Sequence, residues 1–92
     1  MDFEWDPAKA RSNLSKHGVR FSDVEPAFYD EFALSMTDEF SRAEESFLLV
    51  GRDAIGCVIS VSYTYRGESI RIISARPATK SERKDYEKEL RL

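Results

Sequence analysis

One cysteine and one histidine in 92 residues leave little room for several common chemistries. A lone cysteine, Cys57, cannot form an internal disulfide, and its apolar neighbours Ile55, Val58 and Ile59 predict a small core residue rather than a nucleophile. A lone histidine gives no His pair for zinc, and the chain has no C-x-x-C, Walker loop or G-x-S-x-G. The carboxylates scatter without metal-ligand spacing, so no metal and no cofactor is expected. No apolar run approaches the roughly 20 residues of a membrane span, and the acidic amino terminus is not that of a signal peptide. A cytoplasmic protein is the resulting expectation.

What is present is ordinary globular material, 41% hydrophobic and 12% aromatic, enough for one domain over residues 1–92. Net charge is −3, unevenly spread: residues 1–65 carry 6 Lys/Arg against 12 Asp/Glu, and residues 66–92 carry 8 against 5. A basic last third beside an acidic middle offers a local positive patch for phosphates, or simply one solvated amphipathic helix.

Local signals divide the chain clearly. "DFEWD" alternates like an edge strand. Asp6 before Pro7 is a helix start, and Gly18 is the expected left-handed stop for "PAKARSNLSKH". Ser22 and Glu25 have capping-box spacing and predict a short second helix, "DVEPAFYD". "FALSMTD" reads as a strand and "EFSRAEE" as an acidic loop. "SFLLVGR", "GCVISVSYTY" and "ESIRIISARP" are three further strands, joined by the short glycine-containing turns "RDAIG" and "RGE". Thr79 and Glu82 open a terminal helix, "KSERKDYEKELRL". The expected class is α+β: a small antiparallel β-sheet with two N-terminal helices and a C-terminal helix.

Two clusters invite chemistry. At 100° per residue, Lys9, Asn13 and Lys16 line the border of the buried face of the first helix, with His17 closest to the core. Cations in a last helical turn also suit the helix dipole, so this row has a purely structural explanation too. In "ESIRIISARP", Arg71 and Arg76 are costly inside an isoleucine-rich strand unless they meet carboxylates; Glu44 and Glu45 are the expected partners. Strand parity puts the two arginines on opposite faces. Only a bulge, or a site wrapping the sheet edge, brings them together.

"FEWDPAKARSNLSKHGVRF" resembles the opening signature of the BrnT family, F-x-W-D-x-x-K-x-x-x-N-x-x-K-H-G-x-x-F. "RIISARPATKSERKDYE" resembles its closing signature, and the weaker "EESFLLVG" falls between them, so the resemblance spans essentially the whole chain. It implies the toxin of a type II toxin–antitoxin module with a RelE-like fold. It further implies cleavage of RNA, growth arrest, and neutralisation by a BrnA-type antitoxin in a heterotetramer that meets operator DNA only through the antitoxin. Carried onto this chain, the matching positions are Trp5, Asp6, Lys9, Asn13, Lys16, His17, Gly18 and Phe21 at the start and Arg71, Ser74, Arg76, Ala78, Glu82 and Tyr86 at the end. The catalytic set expected from these and from the chemistry of RNA cleavage is Lys16, His17, Glu45, Arg71 and Arg76, and the expected RNA-binding set is Lys9, Asn13, Arg71, Arg76 and Lys80. Trp5, Gly18 and Phe21 read as a core cover, a C-cap and a staple, and Tyr86 as packing.

The expected mechanism needs no metal, because RNA carries its own nucleophile in the 2′-OH. Imidazole suits proton transfer near neutrality, and guanidinium forks match phosphate oxygens. Ser46 departs from the family, which usually has an arginine there. The alternative is therefore a weak or inactive toxin-like module kept for antitoxin binding and operon autoregulation.

Overall fold

The computed structural model describes residues 1–39 and 45–90. Asp6 caps the first helix as its residue type demands, its Oδ1 accepting the Ala8 N–H at 2.9 Å. Helix α1 runs Pro7–His17 and ends on Gly18, whose φ of 72° lets its N–H return to the Leu14 carbonyl at 2.9 Å. The second expected helix forms as two short 3₁₀ helices, Phe21–Asp23 and Glu25–Tyr29, and not as an α-helix, and no side chain caps either. Pro26 is the physical reason: an α-helix begun at Asp23 needs the N–H of its fourth residue for its first hydrogen bond, and proline has none.

The strands are β1 (Asp2–Glu4), β2 (Leu34–Thr37), β3 (Phe47–Arg52), β4 (Val58–Arg66) and β5 (Ser69–Pro77), and helix α2 spans Lys80–Leu90. Residues 40–44 of the expected acidic loop, and 91–92 of the expected terminal helix, lie outside the described residues. Strands β2 to β5 form an antiparallel meander, and β1 closes the far side in the order β1-β5-β4-β3-β2. Strand β1 runs parallel to β5, with Phe3 opposite Ile70. The sheet is therefore mixed, not wholly antiparallel. The chain leaves β1 through α1 and the 3₁₀ turns and enters β2 at the opposite edge, which a hairpin cannot do.

One face of the sheet carries the main core: Leu49, Ile59, Val61, Tyr63, Ile70, Ile72 and Ala75 pack against Val19, Phe21, Val24 and Ala27. Gly51 lets the second 3₁₀ turn come close, since a Cβ there would sit 3.0 Å from the Ala27 carbonyl oxygen. The other face holds a smaller cluster, Val50, Val58 and Tyr86, beneath α2. Cys57 belongs to neither. It is exposed, one residue before β4, with its N–H bonded to Asp53 Oδ1 in the β3–β4 turn. Its apolar sequence neighbours were misleading because the alternation it shares with Ile59 and Val61 starts only inside the strand.

Strand β5 breaks its own parity. Pairing with β4 steps from Ser62–Ser74 to Tyr63–Ile72, which leaves Ile73 as an extra residue. Ile70 and Ile72 are buried before the bulge and Ala75 after it. Arg71 and Arg76 thus share the face opposite this core.

Candidate active site

Helix α1 lies along β5 where β1 has ended, and one side chain holds it there. Asn13 is 6% exposed, the buried residue of the helix. Its Nδ2 donates to the carbonyls of Ala75 (2.8 Å) and Val19 (3.0 Å), and its Oδ1 accepts the Ala75 N–H at 3.0 Å. The amide thus imitates a neighbouring strand, satisfying both backbone groups of Ala75. Sequence spacing placed His17 nearest the core. The structure exposes His17 and buries Asn13 instead, because a backbone edge selects an amide that offers donor and acceptor together.

Around this brace, Lys9, Ser12, Asn13, Lys16 and His17 line a cleft of about 170 Å³ against Ile73 and Ser74 of the bulge. The lysine–histidine row and β5 meet in this cleft. Neither Arg71 nor Arg76 lines that cleft. Both sit beside it in sequence, on the sheet face that α2 partly covers, and both are paired. Arg71 Nη1 lies 3.5 Å from Glu4 Oε1. Arg76 makes a two-pronged contact with Glu82, Nη1 to Oε1 at 2.8 Å and Nη2 to Oε2 at 3.0 Å. The partners are Glu4 and Glu82, not the expected Glu45; Glu44 lies outside the described residues. Register decides this, since Glu4 stands directly opposite Arg71 and α2 returns its first turn over the end of β5.

Glu82 also closes the expected capping box: its N–H donates to Thr79 Oγ1 at 3.1 Å, and its Oε1 accepts the Thr79 N–H at 2.8 Å. The Arg76 hydrogen bonds hold the Glu82 carboxyl below its ordinary range, aided by the Thr79 N–H, against the opposing effect of burial. Glu82 in turn raises the Arg76 guanidinium. Glu45 is exposed, and its carbonyl accepts the Thr64 hydroxyl at 2.7 Å. Ser46 is 3% exposed, with its Oγ 3.4 Å from Asp38 Oδ2. Lys80 is exposed at the start of α2. Sequence reasoning missed Ser12, Ile73 and Ser74 as cleft residues, because only the bulge presents the last two to α1.

Tyr86 anchors α2. Its hydroxyl donates to Asp30 Oδ2 at 2.6 Å, and the Arg52 guanidinium carbon sits 5.6 Å from its ring centroid. Burial alone raises the Asp30 carboxyl, but the Tyr86 hydroxyl, the Phe32 and Arg52 N–H groups and the Arg52 charge bring it below its ordinary value. Among the described residues, no three His, Cys, Asp or Glu side chains gather closely enough to hold a metal ion, and no helix is long and apolar enough to cross a membrane.

The mixed five-stranded sheet with its helices is a fold similar to that of a ribonuclease toxin of known structure. The crystal structure of the Brucella abortus ribonuclease toxin BrnT superposes with a TM-score of 0.65 at 26% identity, covering 87% of this chain and 99% of that one. The profile described as "Ribonuclease toxin, BrnT, of type II toxin-antitoxin system" matches residues 5–82, and the chain belongs to that family. No curated protein matches the sequence.

Proposed function

We propose that this toxin cleaves RNA without a metal, by attack of a 2′-OH on its own adjacent phosphate. The observation that carries the reading is the α1–β5 cleft, where Lys9, Lys16 and His17 face Ser74 at a bulge that also sets Arg71 and Arg76 on one face. His17 takes the proton-transfer role, removing the 2′ proton or supplying one to the departing 5′ oxygen. Lys9 and Lys16 hold the phosphate and offset the charge that builds on it as the new P–O bond forms. Bond formation to the 2′ oxygen and departure of the 5′ oxygen leave a 2′,3′-cyclic phosphate and a 5′-OH.

Arg71 and Arg76 serve as phosphate ligands that exchange a carboxylate for the substrate. Glu82 occupies Arg76 with the two oxygens a phosphate would present, so RNA competes with an internal anion. Lys80, exposed just after β5, extends the same basic surface. Asn13 acts through position, since its amide is committed to Ala75 and Val19. Glu45 enters only as a carboxylate near the rim of the sheet.

Under this reading the chain acts in the cytoplasm, shares a RelE-type plan, and arrests growth until a BrnA-type antitoxin binds it in a heterotetramer. Operator DNA is contacted by the antitoxin alone. A second reading, a weak or inactive module kept for antitoxin binding, is favoured by Ser46: a buried serine beside Asp38 stands where the family usually has an arginine.

The deciding experiment incubates the purified chain with RNA in EDTA. We expect cleavage, reduced roughly 100- to 10,000-fold by His17→Ala and strongly by Arg76→Ala, with thermal melting of the His17 variant close to the parent's. An intact chain that binds its antitoxin but leaves RNA whole would establish the second reading instead.

A further inference from the structure

The opposite flank of α1 has a cleft of its own, and its chemistry differs. Trp5, Ala10, Leu14 and Phe21 make its apolar walls, Arg11, Arg20 and Ser22 complete it, and its volume is about 180 Å³. The Trp5 and Phe21 rings meet edge to face, with centroids 6.1 Å apart and planes at 77°. Phe21 is buried and Trp5 half-buried, so the wall is held in place by the main core. Arg11 and Arg20 are exposed, and among the described residues neither guanidinium has a hydrogen-bond or ion-pair partner. They differ in this from Arg71 and Arg76, which carboxylates already hold.

The charge around the cleft favours one class of occupant. Residues 7–22 contain four Lys/Arg, the single histidine and no Asp/Glu, in a chain whose net charge is −3. A pocket that joins an aromatic wall to two free guanidinium groups suits a flat, polarisable ring attached to an anion. Aromatic faces and arginine planes are how proteins hold unstacked bases of single-stranded RNA. An aliphatic side chain from a protein partner would fill the apolar wall and leave both arginines idle.

We propose that this cleft is a nucleobase subsite of the toxin. The base stacks on Trp5 while Arg11 and Arg20 contact its ring or its phosphate. This inference rests on the RNA-cleaving reading above and adds to it a residue set that the lysine–histidine cleft does not contain. The two clefts lie on either side of α1, about one helix diameter or ~10 Å apart. The docked base therefore belongs to a nucleotide flanking the scissile phosphate, and the strand crosses the helix.

Trp5 is the one tryptophan of the chain, so its fluorescence reports on this cleft alone. The probe is a short 2′-O-methyl oligoribonucleotide, which has no free 2′ nucleophile and stays intact. Binding is followed in parallel by anisotropy of a labelled oligomer. We expect Trp5 emission to be quenched with the same midpoint as the anisotropy. An abasic oligomer of equal length should bind more weakly and leave the emission unchanged. Trp5→Phe keeps an aromatic wall and should bind within about 3-fold of the parent. Trp5→Ala and the pair Arg11→Ala with Arg20→Ala should each weaken binding roughly 5- to 100-fold. Oligomer binding without quenching overturns the subsite, as does equal quenching by the abasic strand. Cleavage that survives such a result keeps the ribonuclease reading, whereas a chain that neither binds nor cleaves RNA loses both.

Discussion

The two helices are the same length and are fastened to the sheet in similar ways, yet they present opposite surfaces. Each spans eleven residues and is held through one buried polar side chain, Asn13 in α1 and Tyr86 in α2. Helix α2 carries Lys80, Arg83, Lys84 and Lys88 against Glu82, Asp85, Glu87 and Glu89, a balance that cancels at a distance. Helix α1 carries Lys9, Arg11, Lys16 and His17 and no carboxylate. Anchoring and charge are thus separate properties of a helix. Only α1 combines a rigid attachment with an uncompensated field, and a polyanion is drawn to such a place.

Breaking the anchors gives the largest effects. Asn13→Ala strips partners from the Ala75 N–H and from the Ala75 and Val19 carbonyls, and unmet buried groups are costly. A loss of about 3 kcal/mol is expected in urea unfolding. Tyr86→Phe removes one hydrogen bond to a carboxylate and should cost about 1.5 kcal/mol. If the two variants prove equal, the edge-strand role of Asn13 is overstated.

Charge sharpens the comparison next. Replacing Lys9 and Lys16 by glutamine should lower the salt dependence of RNA binding by about 0.7 in log–log slope per lysine. The same change at Lys84 and Lys88 should leave the slope where it was. Equal effects on both helices would mean that RNA follows net charge and not the α1 surface.

The smallest effect is one of pH. The carboxyls of Glu82 and Asp30 are both held below their ordinary values by their partners. Their stabilisation is therefore fully present above the unfolded carboxylate range near pH 4, and is lost as pH falls through the depressed folded values. Glu82→Gln should be less stable than the parent at pH 7, and the gap should close below about pH 4. A gap that persists at pH 2.5 in urea midpoints would assign the loss to packing.

Much of this fold was legible from neighbouring residues. Asp6, Pro7 and Gly18 mark both ends of α1, Thr79 and Glu82 open α2, and short glycine-containing turns announce the β3–β4 and β4–β5 hairpins. The same kind of signal failed at Ser22 and Glu25, where Pro26 removed the first bond of the expected helix. The candidate site was legible as residue types, since the lysine–histidine row and the two arginines can be read off the chain. Their roles were not. The partner of Asn13 is 62 residues away at Ala75, and nothing within "RIISAR" marks Ile73 as the residue that slips out of register.

The sequence by itself determined where helices and most strands begin and end, because caps, turns and alternation act over a few residues. Only the tertiary structure decided that β1 runs parallel to β5, that Arg71 and Arg76 share a face, and that Glu4 and Glu82 hold them. The first two and the Glu4 contact depend on pairing between distant segments, the Glu82 contact on how α2 folds back over the end of β5, and a one-residue shift in register reverses the direction of every side chain beyond it.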